Sequence, residues 1–307
     1  MRNPAVLVAE VTHAYGRTVA LNAVTLEIAR GQLTGLLGPN GSGKTTLFRL
    51  LATLMPVQSG TISVLGHDVM KEPAAVRGRL GVTFQSPALD SRLTVFENLQ
   101  CHGRLFGIDR QTLNRRIDES LQQLDLADRR SSRVEQLSGG LRRRTELAKG
   151  LLHQPDVLLL DEPSTGLDLM VRRRFWDTLD AIRKNAKTTV VVSTHLMDEA
   201  ERCDQLFLLH EGRLVASGAP AELQQHVAGE RVTVRLRDID DSRPAIQALL
   251  GEPATVQGNQ MTFHVSDAAA KVQHLLDGTS NNVLSVEVAQ ATLDDVFLDA
   301  TGRSLAE

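Results

Sequence analysis

The chain has little with which to cross-link itself and little with which to enter a membrane. Its two cysteines, Cys101 and Cys203, lie far apart in 307 residues. They are too few for a disulfide framework or a cysteine-based zinc site, and are expected as two free or buried thiols of a reducing cytosol. No stretch approaches the roughly 18 to 20 apolar residues of a membrane-spanning helix. The opening Met-Arg-Asn-Pro-Ala-Val-Leu-Val-Ala-Glu lacks the apolar core of a signal peptide. If the protein serves a membrane process, another chain must supply the membrane part. Charge of one sign is also missing. A net charge of -3 sets up no basic field that would make the whole molecule track nucleic acid.

What the chain does have is apolar material. At 42% hydrophobic it can build large cores, and about 150 residues per domain suggests two domains. Four short apolar runs each end in residues able to handle phosphate, metal or protons. Leu36-Leu37 leads into Gly38 to Thr46, Gly81 to Phe84 ends at Gln85, Val157 to Leu160 ends at Asp161-Glu162, and Val190 to Val192 ends at Ser193-Thr194-His195. Continuous apolar runs of this length are expected of parallel strands buried on both faces. Ligands of such sheets bind beyond the carboxyl ends of the strands, so these polar residues are expected to converge. After the first run, Leu47, Leu50, Leu51 and Leu54 fall at helical spacing on one buried face. Between Gln85 and Val157 the spacing of Leu113, Ile117, Leu121 and Leu124 predicts a helical subdomain over about 86–155.

From about Gly229 the pattern changes. It reads strand at Arg231 to Arg237, helix at Pro244 to Leu250, and strands at Ala254 to Val256 and Met261 to Val265. Helix at Ala268 to Leu276 and strand at Val283 to Val288 follow. This is the order of a ferredoxin-like split unit. The expected domains are therefore 1–228 and 229–307, with no catalytic constellation in the second.

The segment Gly38-Pro39-Asn40-Gly41-Ser42-Gly43-Lys44-Thr45-Thr46 is a P-loop. Gly38, Gly41 and Gly43 let backbone N–H groups face phosphate oxygens, and Lys44 places a positive charge at the β- and γ-phosphates. Thr45 offers a hydroxyl to Mg²⁺. The helix that follows turns its positive end toward the same anion. Asp161 and Glu162 suit two tasks, one carboxylate anchoring Mg²⁺ through its water shell and the other orienting and deprotonating water. A carboxylate pair at a strand end can also simply cap the next turn. Arg142, Arg143 and Arg144 are expected on a solvated helix face, since an RNA surface would bring interleaved aromatics that are absent here.

Leu137-Ser138-Gly139-Gly140, shortly before Asp161-Glu162-Pro163, resembles the signature of ATP-binding cassette (ABC) ATPases. Tyr15, Gln85, Ser164-Thr165-Gly166-Leu167-Asp168 and His195 follow in that family's order, and the resemblance covers roughly residues 5 to 225. It implies an α/β P-loop NTPase core, a mixed sheet with flanking helices and an N-terminal antiparallel part, with the helical subdomain inserted. It also implies roles. Tyr15 would stack on adenine, although it also reads as an ordinary strand aromatic. Gln85 would complete the Mg²⁺ shell that Thr45 and Asp161 begin, Glu162 would be the general base, and His195 would hold the γ-phosphate and the attacking water. Ser138, Gly139 and Gly140, at a helix start, would form a second phosphate cradle for ATP held by another copy, with Asp168 communicating across the interface. Leu141 stands where glutamine is usual, which removes polar contacts from that side chain.

The resemblance further implies a homodimer around two ATP that drives a separate transmembrane permease, peripheral to the cytoplasmic face of the cell membrane, with no nucleic acid. A soluble ABC ATPase acting on ribosomes or nucleic acid is the alternative. Against it stand the single cassette and the absence of sustained heptads between P-loop and signature. Thr292 to Leu298, with Thr301-Gly302-Arg303, is similar to the ending of the daunorubicin-resistance-like branch of ABC exporters. Leu93 to Leu99 resembles the part of that branch that meets the membrane subunit.

Overall fold

A computed structural model describes residues 3–86, 88–226, 230–239, 246–247, 254–265, 267–279 and 282–303. The chain forms two compact units, Met1–Ser217 and Gly218–Glu307. In the first, β1 (Val6–Tyr15) pairs antiparallel with β2 (Thr18–Ile28) and with β4 (Ser59–Val64), and β5 (His67–Asp68) closes the order β2-β1-β4-β5. Val24, Leu26 and Ile28 are buried while Thr25 and Glu27 are exposed, the alternation of a sheet with one face on the core.

The second sheet runs β10 (Arg213–Gly218), β9 (Gln205–His210), β3 (Leu33–Leu37), β8 (Thr189–Thr194), β7 (Val157–Asp161), β6 (Leu80–Thr83). Its β9-β3-β8-β7-β6 portion is parallel. Every residue of β3, β7 and β8 is buried, as expected of strands covered on both faces. Helix α1 (Lys44–Leu51) joins the sheets: its Leu47 and Phe48 share one cluster with Val6, Val8 and Ile62 of the first sheet and Leu159 and Val191 of the second. Leu47, Leu50 and Leu51 are buried as their spacing predicts, but Leu54 is not. The helix ends at Leu51 and Thr53 enters the left-handed region at φ 58°, which turns Leu54 out to solvent.

A short α2 (Pro73–Arg79) leads into β6, and the helical subdomain follows with α3 (Val95–Leu105), α4 (Arg110–Gln123) and α5 (Gly139–Leu151). Leu113, Ile117 and Leu121 form the buried face of α4. A reciprocal cap fixes the start of α3, where the Thr94 hydroxyl accepts from Glu97 N and the Glu97 carboxylate accepts from Thr94 N. After β7 come α6 (Leu169–Ala186) and the single-turn α7 (Met197–Ala200). No helix of the described residues is long and apolar enough to cross a membrane. Cys101 is exposed, Cys203 is buried, and both are free.

The second unit contains α8 (Pro220–His226), β11 (Glu230–Leu236), β12 (Thr255–Gln257), β13 (Gln260–Val265), α9 (Ala268–Thr279), β14 (Val283–Ala289) and α10 (Leu293–Thr301). Its sheet is antiparallel in the order β12-β13-β11-β14, over a core that includes Val232, Val234, Met261, Phe263 and Leu275. The expected helix at Pro244 to Leu250 lies outside the described residues except for Ile246 and Gln247, which are helical. Helix α8 packs on α10, so the second unit begins at Gly218 and not at 229.

Phe48 is fully buried where the two sheets of the first unit meet. Phe48→Ala is expected to cost about 3–5 kcal/mol. Urea unfolding followed by the fluorescence of Trp176, the sole tryptophan and buried in the same unit, measures it. An unchanged midpoint would contradict this packing.

Candidate active site

Strand register assembles the site. Leu37 pairs with Thr194 and Asp161 with Ser193, so the segments after β3, β7 and β8 leave the sheet at one edge. Gln85 follows two residues after Thr83, the end of β6.

The loop between β3 and α1 has no room for side chains at two glycines. Gly43 has φ 105°, and a Cβ there would lie 2.5 Å from the Ala20 carbonyl oxygen; one at Gly38 would lie 2.2 Å from that of Leu209. Lys44 is buried, and its Nζ donates to the carbonyls of Gly38 (2.7 Å) and Pro39 (2.9 Å). An ammonium has three N–H donors, so one remains for an incoming oxyanion. Burial lowers the Lys44 pKa, while the Glu162 and Asp161 carboxylates raise it.

Asp161 is buried at the end of β7. Its Oδ1 accepts from Ser193 Oγ at 2.5 Å and from Thr45 Oγ1 at 3.4 Å, while its Oδ2 is buried with no hydrogen-bond partner among the described residues. An orphaned carboxylate oxygen beside a threonine hydroxyl is a donor set that fits a hard cation such as Mg²⁺. The residue after it is strained. Glu162 sits at φ 45°, a left-handed conformation that costs a non-glycine residue about 1–3 kcal/mol. Its N–H donates to the Ser193 carbonyl and lies 3.0 Å from Ser193 Oγ. Its Oε2 accepts from Gln85 Nε2 and Thr165 Oγ1, both at 3.2 Å, and His195 Nδ1 lies 3.4 Å from Oε1. Gln85, Glu162 and His195 therefore meet around one carboxylate. The carboxylate pair does more than cap a turn.

Ser138 caps α5, its Oγ accepting from Leu141 N, so the N-terminal N–H groups of that helix are presented beside Gly139. Gly139 lines a cavity of about 280 Å³ with Gln85, Arg142 and Glu162. Among the described residues no hydrogen bond ties Ser138 to residues 38–46. Asp168 caps α6, accepting from Val171 N at 2.9 Å. Tyr15 is half-exposed, donates its hydroxyl to Met55 Sδ and meets His13 edge-on at 5.0 Å.

The expected solvated face at Arg142 to Arg144 is corrected. Arg142 is exposed, but Arg143 donates to the carbonyls of Pro163, Phe84 and Asp161, and Arg144 donates to that of Leu124. Burial lowers the Arg143 pKa against the raising effect of Glu146, Asp161 and Glu162. Sequence reasoning also missed the parts played by Ser193, Thr165 and Glu199. Ser193 was legible in principle, because β8 pairs it with Asp161. The buried Glu199 carboxylate accepts from Thr194 Oγ1 and Ser164 Oγ, and an isolated acid in a one-turn helix gives no such signal.

The ABC transporter family model matches residues 21–165. The daunorubicin resistance ATP-binding protein DrrA3 of Streptomyces coeruleorubidus is 38% identical, over 98% of this chain and 97% of that one. The chain belongs to the ABC transporter family. A Nod factor export ATP-binding protein I of Cupriavidus pinatubonensis is 36% identical over 97% of this ABC chain and 91% of its own. Among solved structures, cbiO1 of Clostridium perfringens, part of the ABC transporter complex cbiONQ, superposes with a TM-score of 0.68 at 27% identity. That match covers 81% of this chain and 99% of that one. As an ABC ATP-binding subunit, the protein binds ATP and hydrolyses it.

Lys44→Ala is expected to raise the ATP Kd roughly 10- to 150-fold, the loss of one charge-assisted contact at about 1.5–3 kcal/mol. Isothermal titration calorimetry measures it, and an unchanged affinity would remove Lys44 from the nucleotide site.

Proposed function

We propose that the protein is the ATP-hydrolysing half of an exporter. Two copies close around two ATP, and the closure drives a separate transmembrane permease from the cytoplasmic face of the membrane. The observation that carries this reading is the gathering of Lys44, Thr45, Asp161, Glu162, Gln85 and His195 at one sheet edge. Lys44 and the loop N–H groups hold the β- and γ-phosphates, while Tyr15 takes the adenine. The helix start at Ser138, Gly139 and Gly140 serves ATP on the partner copy, and Asp168 lies at that interface. Thr45, Asp161 and Gln85 would hold Mg²⁺, which when bound neutralises phosphate charge.

Hydrolysis then follows from the chain's own groups. Glu162 takes a proton from water as the water oxygen bonds to the γ-phosphorus, and the bond from that phosphorus to the ADP oxygen breaks. Gln85 and Thr165 hold Glu162 Oε2, which leaves Oε1 to the water and to His195. His195, bridging Glu162 and the γ-phosphate, keeps nucleophile and phosphate in line. Hydrolysis removes the phosphate bridging the copies and lets them reopen. Direction rests on the relatives named for resistance and export. The alternative, a soluble factor of ribosomes or nucleic acid, draws no support from them. The second unit, which contributes none of these groups, is read as an accessory domain.

Glu162→Gln is expected to lower turnover by roughly 100-fold or more while ATP holds the variant as a dimer. Steady-state phosphate release and light scattering with ATP present measure both, and parental turnover would remove Glu162 as the base. Affinity purification from detergent-solubilised membranes should recover a polytopic membrane protein; ribosomes in its place would contradict the transporter reading.

A further inference from the structure

The signature helix does more than present Ser138. Three charged side chains spaced three residues apart on α5, Arg143, Glu146 and Lys149, all turn toward the core. Arg143 spreads its guanidinium over three backbone carbonyls from two segments. Nε donates to Pro163 O at 2.7 Å, Nη1 to Phe84 O at 2.7 Å and Nη2 to Asp161 O at 2.9 Å. Two of those carbonyls belong to the residues on either side of Glu162, and the third belongs to the residue before Gln85. Glu146 accepts from Ala88 N at 2.7 Å, and Lys149 donates to Ala88 O at 2.8 Å. The segment that carries Gln85 is thus tied to α5 at both ends.

We propose that Arg143 is a positioning residue for hydrolysis: it clamps the strained Glu162 backbone between its neighbours' carbonyls and fixes it, with the start of the Gln85 segment, to the helix that begins at Ser138. Glu162 holds φ 45° at an energetic cost, and its own N–H reaches only Ser193. A planar guanidinium has five donors in a fixed fork and can hold three divergent carbonyls at once. A glutamine presents one short amide, and a lysine presents a single point of charge on a flexible stem. Among the described residues Arg143 makes no hydrogen bond to Lys44 or to the loop 38–46, so the clamp is expected to act on the chemical step and to leave binding alone. The inference rests on Glu162 being the base.

The test compares the parent with Arg143→Gln, Arg143→Lys and Glu162→Gln, using steady-state ATP hydrolysis for kcat and calorimetry for the ATP Kd. Arg143→Gln should lower kcat by roughly 10- to 100-fold, the effect of misplacing a reacting group by a fraction of an ångström to an ångström. Its Kd should stay within about threefold of the parent, well below the loss of more than about tenfold expected when one charge-assisted contact is removed. Arg143→Lys should recover part of that loss and keeps the test alive if Arg143→Gln does not fold. A folded Arg143→Gln with parental kcat, or one in which Kd weakens as much as kcat falls, would overturn the clamp. If Glu162→Gln itself keeps parental turnover, the reading of the base fails. If Glu162→Gln is inactive while Arg143→Gln is not, only the clamp fails.

Discussion

The site depends on the register of three parallel strands. With Leu37 beside Thr194 and Asp161 beside Ser193, the P-loop, the carboxylate pair and His195 must leave the sheet at one edge. A one-residue slip of β7 would turn Asp161 to the other face of the sheet and carry it away from Thr45. The register is in turn held by burial, because β3, β7 and β8 have no solvent-facing side and no freedom to shift without opening the core.

Upon that rigid edge the structure sets one strained residue. Glu162 leaves β7 in a left-handed turn that aims its carboxylate at Gln85, Thr165 and His195, away from the direction that a continued strand would give it. The surroundings fix this conformation several times over: Ser193 receives its N–H, and Arg143 holds the carbonyls before and after it. Strain of this kind persists only where neighbouring contacts over-determine it. Arg143 belongs to α5, so the helix that Ser138 caps is hydrogen-bonded to the residues on either side of the assigned base.

Much of this was legible in the sequence because the signals are local. The buried strands announced themselves as unbroken apolar runs, the loop at Gly38 to Thr46 through glycines where a Cβ would strike a carbonyl, and α4 through its Leu113, Ile117, Leu121 spacing. What escaped was tertiary. Three successive arginines look alike on paper, and only the approach of Phe84, Asp161 and Pro163 to one of them separates Arg143 from its exposed neighbour Arg142. Leu54 kept the helical spacing, but Thr53 broke the helix before reaching it. The boundary between the two units moved for a similar reason, since a contact between α8 and α10 spans some seventy residues of sequence.

The central claim is that each chain holds half of an ATP site, completed at Ser138 of a second copy. The rate of ATP hydrolysis per mole of protein, measured on the unmodified chain across a dilution series, tests it most directly. A shared site requires two chains to meet, so the specific activity should climb with protein concentration at the dilute end and level off once dimers prevail. A specific activity that stays flat down to concentrations where light scattering reports only monomer would mean that one chain completes the site alone, and would contradict the account.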